Sequence, residues 1–191
     1  MRNLILILLA VLTITTVKAE DFPSIIINDG KSFVLDLKDW TKDAVQISIL
    51  DPYGRTVYEE NKEAGTSKLK KYNMDQLASG MYAVKVEDEI KEVTYNIYVN
   101  NQNVSIVGGK KVTYKPVVYY DNEGIISVNV LALNKNVSVN LSDSKGYNLY
   151  SDEVSKNVRY GKQLDISKLP SGYYDVTVGL GDQFYNTTIQ K

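Results

Sequence analysis

The chain contains no histidine and no cysteine, which closes two families of chemistry before any fold is considered. A Ser-His-Asp or Cys-His site would lack its base or its nucleophile, and the usual zinc sets would lack their nitrogen and sulfur donors. Three weaker arrangements remain. Asp36, Asp39 and Asp43 are near enough in sequence to be weighed for glycoside hydrolysis, which needs two carboxyl groups flanking one bond. On a strand end and a loop, they read as solvated charge. Ser-x-x-Lys occurs at Ser67 to Lys70 and at Ser142 to Lys145, without the companion motifs that an acylated serine requires. Gly30-Lys31-Ser32 ends like a phosphate loop, but Ile25 stands where the earlier glycine belongs. The oxygen-rich segments Asp121-Asn122-Glu123-Gly124 and Glu87-Asp88-Glu89 are where calcium would be sought. Neither has the spacing of a calcium loop, and both read as hairpin turns. The residues thus point to no catalytic group, no cofactor and no metal, and to a protein that is not an enzyme.

Binding is the chemistry that remains, and tyrosine is the residue for it. There are 15 Tyr against 3 Phe. Tyr53, Tyr98, Tyr147 and Tyr173 fall in turns or on the parity opposite to the core, where a large, stiff, amphipathic ring makes a contact surface for protein or glycan. A net charge of −1 argues against a nucleic-acid partner, since phosphate neutralisation needs a clustered positive surface.

The elements that must position these residues are written twice. Val45 to Tyr58 lines up with Val137 to Tyr150, matching Asp51 with Asp143 and Gly54 with Gly146; Leu77-x-Ser-Gly80-x-Tyr82 lines up with Leu169-x-Ser-Gly172-x-Tyr174 in the same register. A repeat of this length is a whole domain rather than a solenoid module. Within each copy, apolar residues alternate with polar ones, as in Val45, Ile47, Ile49 and in Tyr82, Val84, Val86, the period-2 mark of half-buried strands. In the first copy this predicts strands near 23–28, 32–38, 44–50, 55–60, 67–73, 80–87 and 91–99. Asp51 and Gly54, like Asp143 and Gly146, mark turns, because Asp bonds its own backbone and Gly accepts positive φ. Leu77, Gly80 and Tyr82, with Leu169, Gly172 and Tyr174, form the pattern of a tyrosine corner, in which the hydroxyl bonds back to upstream backbone. The expected fold is all-β: two tandem immunoglobulin-like, Greek-key sandwiches. Asn100 to Asn103 reads as the linker, Gly108-Gly109-Lys110-Lys111 as a turn in an extension of the second copy, and Trp40 as a core or inter-domain plug.

The first residues set the compartment. Met1-Arg2-Asn3, an apolar run from Leu4 to Ile14 and Val17-Lys18-Ala19 have the three parts of a secretory signal peptide, cut after Ala19. The run is short for a membrane span. The division is therefore signal peptide 1–19, first sandwich 20–100 and second sandwich 101–191, in a secreted, periplasmic or surface protein that does not span the membrane.

Asp143-x-x-Gly146-x-x-Leu149-Tyr150, then Leu164 to Tyr174, then the closing Lys191, make the second copy resemble the C-terminal sorting domain of type IX secretion in Bacteroidetes. The first copy carries a weaker form of the pattern. The same residues resemble a family of small secreted Bacteroidetes proteins of unknown function with immunoglobulin-like topology. Sorting domains often open on Pro-Asn-Pro, whereas this copy opens Tyr114-Lys115-Pro116-Val117-Val118, and the cargo would here be another copy of the signal. On these residues the second family is the better match. It implies periplasmic or surface residence and a binding or structural role; the first implies a cargo whose last domain is read by secretion machinery.

Overall fold

A computed structural model describes residues 22–38, 40, 44–63 and 68–191. The signal segment, Asp39, Asp43 and Ser67 lie outside the described residues. Among the described residues there is no helix long and apolar enough to cross a membrane.

The first copy forms β1 (Ser24–Ile27), β2 (Ser32–Asp36), β3 (Val45–Leu50), β4 (Thr56–Lys62), β5 (Leu69–Asn73), β6 (Gly80–Glu87) and β7 (Lys91–Val99). They assort into a sheet of order β1-β2-β5 and a larger sheet in which β4-β3-β6-β7 run antiparallel. The second copy repeats the plan. Here β9 (Val117–Tyr120), β10 (Ile125–Leu131) and β13 (Arg159–Asp165) form one sheet, while β12 (Asn148–Val154), β11 (Val137–Asp143), β14 (Tyr173–Leu180) and β15 (Gln183–Gln190) form the other. This crossover of non-consecutive strands is the immunoglobulin-like Greek key.

Alternation along the strands fills each core. Ile47, Val84, Val93 and Ile97 of the larger sheet meet Phe33 and Leu35 of the smaller one, all without measurable exposure. Ile126, Val128, Val139, Val176 and Val178 do the same in the second sandwich. Trp40 belongs to the first core, with the Lys91 ammonium 4.9 Å from its ring centroid.

One strand departs from the repeat. β8 (Val104–Tyr114) pairs antiparallel with β7 and extends the first sandwich's larger sheet to five strands. Asn100 to Asn103 is therefore the hairpin turn into β8 rather than a linker, closed by Asn100 N to Asn103 O at 3.0 Å and by the Asn100 Oδ1, which accepts the N–H of Gln102 and of Asn103. Gly108 and Gly109 lie inside β8, not in a turn of the second copy. The register slips between Thr94 and Asn96, and Gly108 at φ +73° absorbs the extra chain, as an irregular ladder position requires. The first sandwich accordingly holds the chain past residue 100, as far as Tyr114. There the Lys115 N–H bonds Ile90 O at 2.8 Å, and its ammonium bonds Asp88 O and the Glu87 carboxylate.

Val104 is 2% exposed and Val99 0%, so β8 closes core as well as edge. A fragment of residues 20–115 is expected to melt cooperatively. One ending at Asn100 loses the burial of Val104, about 2 kcal/mol, and exposes β7 as an open edge. Denaturation and sedimentation of the two fragments check this, and equal midpoints with equal monomer content would overturn it.

Candidate functional site

At one end of each sandwich, the turn between the third and fourth strands meets the loop that enters the sixth. In the first copy Asp51 Oδ1 accepts the N–H of Tyr53 and of Arg55, both at 2.9 Å, and Gly54 stands at φ +79°. In the second, Asp143 Oδ1 accepts from Lys145 and Tyr147, both at 2.9 Å, and Gly146 stands at φ +82°. Beside these turns sit the corners. Tyr82 Oη donates to Ala78 O at 3.0 Å, and Tyr174 Oη donates to Pro170 O at 2.6 Å. Leu77 and Leu169 pack against their respective cores. A Cβ on Gly80 would come within 3.3 Å of Pro52, whereas Gly172 has open space.

A second device at the same loop did not stand out in the sequence. The Lys31 ammonium donates to Asp75 O at 3.2 Å and Leu77 O at 3.0 Å. In the second copy the Lys191 ammonium donates to Ser167 O at 2.8 Å and to Leu169 O. The four carbonyls occupy equivalent positions, yet the lysines come from opposite ends of the repeat. Lys31 aligns with Gly124, where a Cβ would lie 2.8 Å from Ser167 Cβ, so no side chain fits there and the ammonium arrives instead from Lys191, just after β15. The Lys31 of the phosphate-loop-like triplet thus serves the fold.

The seam between sheets carries a third duplicated group. Glu60, on β4, accepts a hydrogen bond from Tyr72 Oη at 2.6 Å and pairs with the Lys70 ammonium, which also donates to Tyr58 Oη at 2.8 Å. Tyr72 stacks on Phe33 and meets Tyr58 edge-on, with centroids 5.1 and 5.5 Å apart. In the second copy Asp152 accepts from Tyr150 at 3.0 Å and Tyr160 at 2.9 Å, with the Lys162 ammonium 5.4 Å from the Tyr150 ring centroid. Burial opposes ionisation of Glu60, but hydrogen bonds from Lys70 and the tyrosines outweigh it and hold the carboxyl below its usual range. The Tyr160 and Tyr150 hydroxyls do the same for Asp152. Burial, then the carboxylate, pushes the Tyr72 and Tyr160 hydroxyls far up. The signal was present in the sequence: Tyr58, Glu60 and Lys70 recur in register as Tyr150, Asp152 and Lys162.

The four tyrosines picked from the sequence are exposed: Tyr53 by 83%, Tyr147 by 67%, Tyr173 by 55% and Tyr98 by 41%. They fall as one pair on each sandwich. The Arg55 guanidinium lies 5.2 Å from the Tyr53 ring centroid, and Tyr98 faces Met81 across β6 and β7. Tyr173 lines a groove of about 290 Å³ between the Asp143 turn and the corner. A larger groove of about 680 Å³ lies where β8 hands over to β9, lined by Ile90, Lys115, Val117, Leu131 and Arg159 among others.

The oxygen-rich segments have backbone duties. Asp121 Oδ1 accepts three successive N–H groups, from Glu123, Gly124 and Ile125, and these lower its pKa. Asp88 Oδ1 accepts from Ile90 and Lys91. Asp36 bonds the N–H of Lys38 at 2.9 Å.

A family model of the secretion system C-terminal sorting domain matches residues 31–100 and again 122–191. The chain belongs to that family. Each match spans one sandwich from the second strand onward, and membership makes this an exported protein, released or held at the cell surface. No curated protein matches the chain. Among solved structures, the chain is similar to the BSP domain of a biofilm associated protein (13% identity, TM-score 0.28, 87% of this chain and 29% of that one). It is also similar to a two-domain fibronectin type III segment from chicken tenascin (11%, 0.30, 88% and 99%) and to the FN1–FN3 domains of chicken CNTN1 (13%, 0.29, 88% and 64%). The chain spans less than a third of the biofilm protein structure.

Two outcomes follow. Tyr82→Phe or Tyr174→Phe keeps the ring but leaves a backbone carbonyl unpaired, and is expected to cost about 1–3 kcal/mol. Tyr147→Phe, at an exposed turn, is expected to stay within about 0.5 kcal/mol. Equal costs at Tyr147 and Tyr174 in urea denaturation would refute a structural role for the corner hydroxyl. The second outcome concerns pH. Glu60 and Asp152 have folded pKa values below their ordinary 4.5 and 3.8. Their stabilisation is therefore whole above those values and is lost as pH falls through the lower folded ones. Tyr72 and Tyr160 are raised above 10.0, so theirs is whole below that pH and is lost above it. Melting midpoints should fall on acidification below about pH 4.5, and less steeply in Glu60→Gln with Asp152→Asn. Parallel curves would refute the assignment.

Proposed function

We propose that this chain is a cargo of type IX secretion in a Bacteroidetes-type bacterium, delivered by way of its second sandwich. Outside the cell it acts as a non-enzymatic binding or structural module for a protein or glycan ligand. The observation that carries the first part is the sorting-domain match to residues 122–191. The same family model matches residues 31–100, so on this reading the passenger is a sister of the module that sorts it. The second part is supported by how the polar groups are used. Lys31 and Lys191 bond backbone carbonyls, Glu60 pairs with Lys70, and Asp152 accepts from the Tyr150 and Tyr160 hydroxyls, so these charged groups are engaged in holding the fold.

The test is localisation in a host with type IX secretion. The full chain is expected in the medium or on the surface, beginning at Glu20 by mass spectrometry, and a chain lacking 122–191 is expected to stay in the periplasm. Equal export of both would overturn the sorting role of the second sandwich.

A further inference from the structure

The two copies differ most at one edge. In the first, β7 is covered by β8 along its length. The equivalent strand of the second, β15, pairs only with β14 and ends its sheet. An end strand offers a row of unpaired N–H and C=O groups, and proteins usually guard such edges with charge, proline, bulges or brevity.

The other edges here are guarded. β4 carries Glu59, Glu60 and Lys62 opposite a register slip; β12 carries Asp152 and Glu153 opposite another; β8 carries Lys110 and Lys111 and the slip at Gly108. β5 and β13 carry Lys or Arg, and β1 and β9 are four residues each. Only β15, among the described strands, has none of these devices. Its eight residues, Gln183 to Gln190, include no charge and no proline, and its register with β14 is unbroken.

The groups it presents can be assigned. Gly172 and Lys191 exchange both backbone bonds, N to O at 3.1 and 2.9 Å. Bonded and non-bonded pairs alternate along an antiparallel ladder, so the odd residues from 183 to 191 bond β14. Phe184, Asn186, Thr188 and Gln190 turn their N–H and C=O toward the open edge.

We propose that β15 is a self-association edge, on which β15 of a second copy docks antiparallel about a two-fold axis at Thr187. That register sets Asn186 opposite Thr188 and Phe184 opposite Gln190, so all four open-edge residues bond in both copies. Tyr185 faces Ile189, which keeps the core-side residues of both copies on one face of a continuous eight-stranded sheet. The occupant is a second copy because the strand suits itself: no like charges meet in the ladder, and neither partner brings a guard. β8 on β7 is the same pairing made within one chain.

Sedimentation velocity on the mature chain, from about 1 μM to about 500 μM, is expected to show a monomer passing to a dimer. Asn186→Pro removes an open-edge N–H and leaves the β14 ladder whole, while Asn186→Lys adds the missing guard. Both are expected to keep β-rich circular dichroism and a cooperative melt and to abolish the dimer. A mature chain that stays monomeric throughout, or a dimer that persists in both folded variants, would overturn the proposal.

Discussion

Three backbone carbonyls in the loop entering the sixth strand of each sandwich have no place in a ladder, and the architecture at that end is organised around pairing them. In the first copy Asp75 O and Leu77 O take the Lys31 ammonium, and Ala78 O takes the Tyr82 hydroxyl. In the second, Ser167 O and Leu169 O take Lys191, and Pro170 O takes Tyr174. An unpaired carbonyl at a part-buried site costs as much as a lost hydrogen bond, and the bonds to Leu77 O, Ala78 O, Leu169 O and Pro170 O are part-buried, so these donors stabilise the loop where it crosses between the sheets. The corner is readable in the sequence as a Tyr two residues after Ser-Gly. Its lysine partner is half of the same device.

The lysine also shows how duplicated domains keep a function while moving its residue. The acceptors stayed in register, whereas the donor moved from the start of the second strand to the end of the chain. The exchange is coupled to Gly124, where the backbone stands at φ +118° and an added Cβ would lie 2.8 Å from Ser167 Cβ, which excludes a side chain where Lys31 stands in the first copy. The seam cluster followed the opposite course. Tyr58, Glu60 and Lys70 kept their positions as Tyr150, Asp152 and Lys162, while the second tyrosine moved from Tyr72 to Tyr160. A carboxylate between two phenols tolerates such a shift, because either neighbour on the facing strand can reach it.

The sandwich plan was legible because alternation and turn chemistry are local. The strands expected at 80–87 and 91–99 are β6 and β7 residue for residue, and the others differ by one to two residues at their ends. Asp51 with Gly54, and Asp143 with Gly146, declare their turns through types that few other conformations favour. β8 was not legible. Gly108-Gly109 has the composition of a turn, and only the pairing partner tells a bulge from a turn, since both need a residue at positive φ. The lysine clamps were hidden for a related reason: a repeat alignment finds residues that keep register, and Lys31 and Lys191 do not.

β8 has a consequence larger than its length. A sandwich of seven strands leaves the chain at the far end from its entry, so tandem copies stack end to end. An eighth strand antiparallel to the seventh returns the chain to the end where it began. Lys115 is then pinned to Asp88 and Ile90 in the turn between β6 and β7, and β9 starts from there. The groove of Ile90, Lys115, Val117, Leu131 and Arg159 exists because that hand-over brings a hairpin turn of one sandwich against the first strands of the next. The same extra strand removes β7 from the set of available edges. One addition to one copy therefore formed a groove at the junction and left the uncharged end strand, β15, to the copy that lacks it.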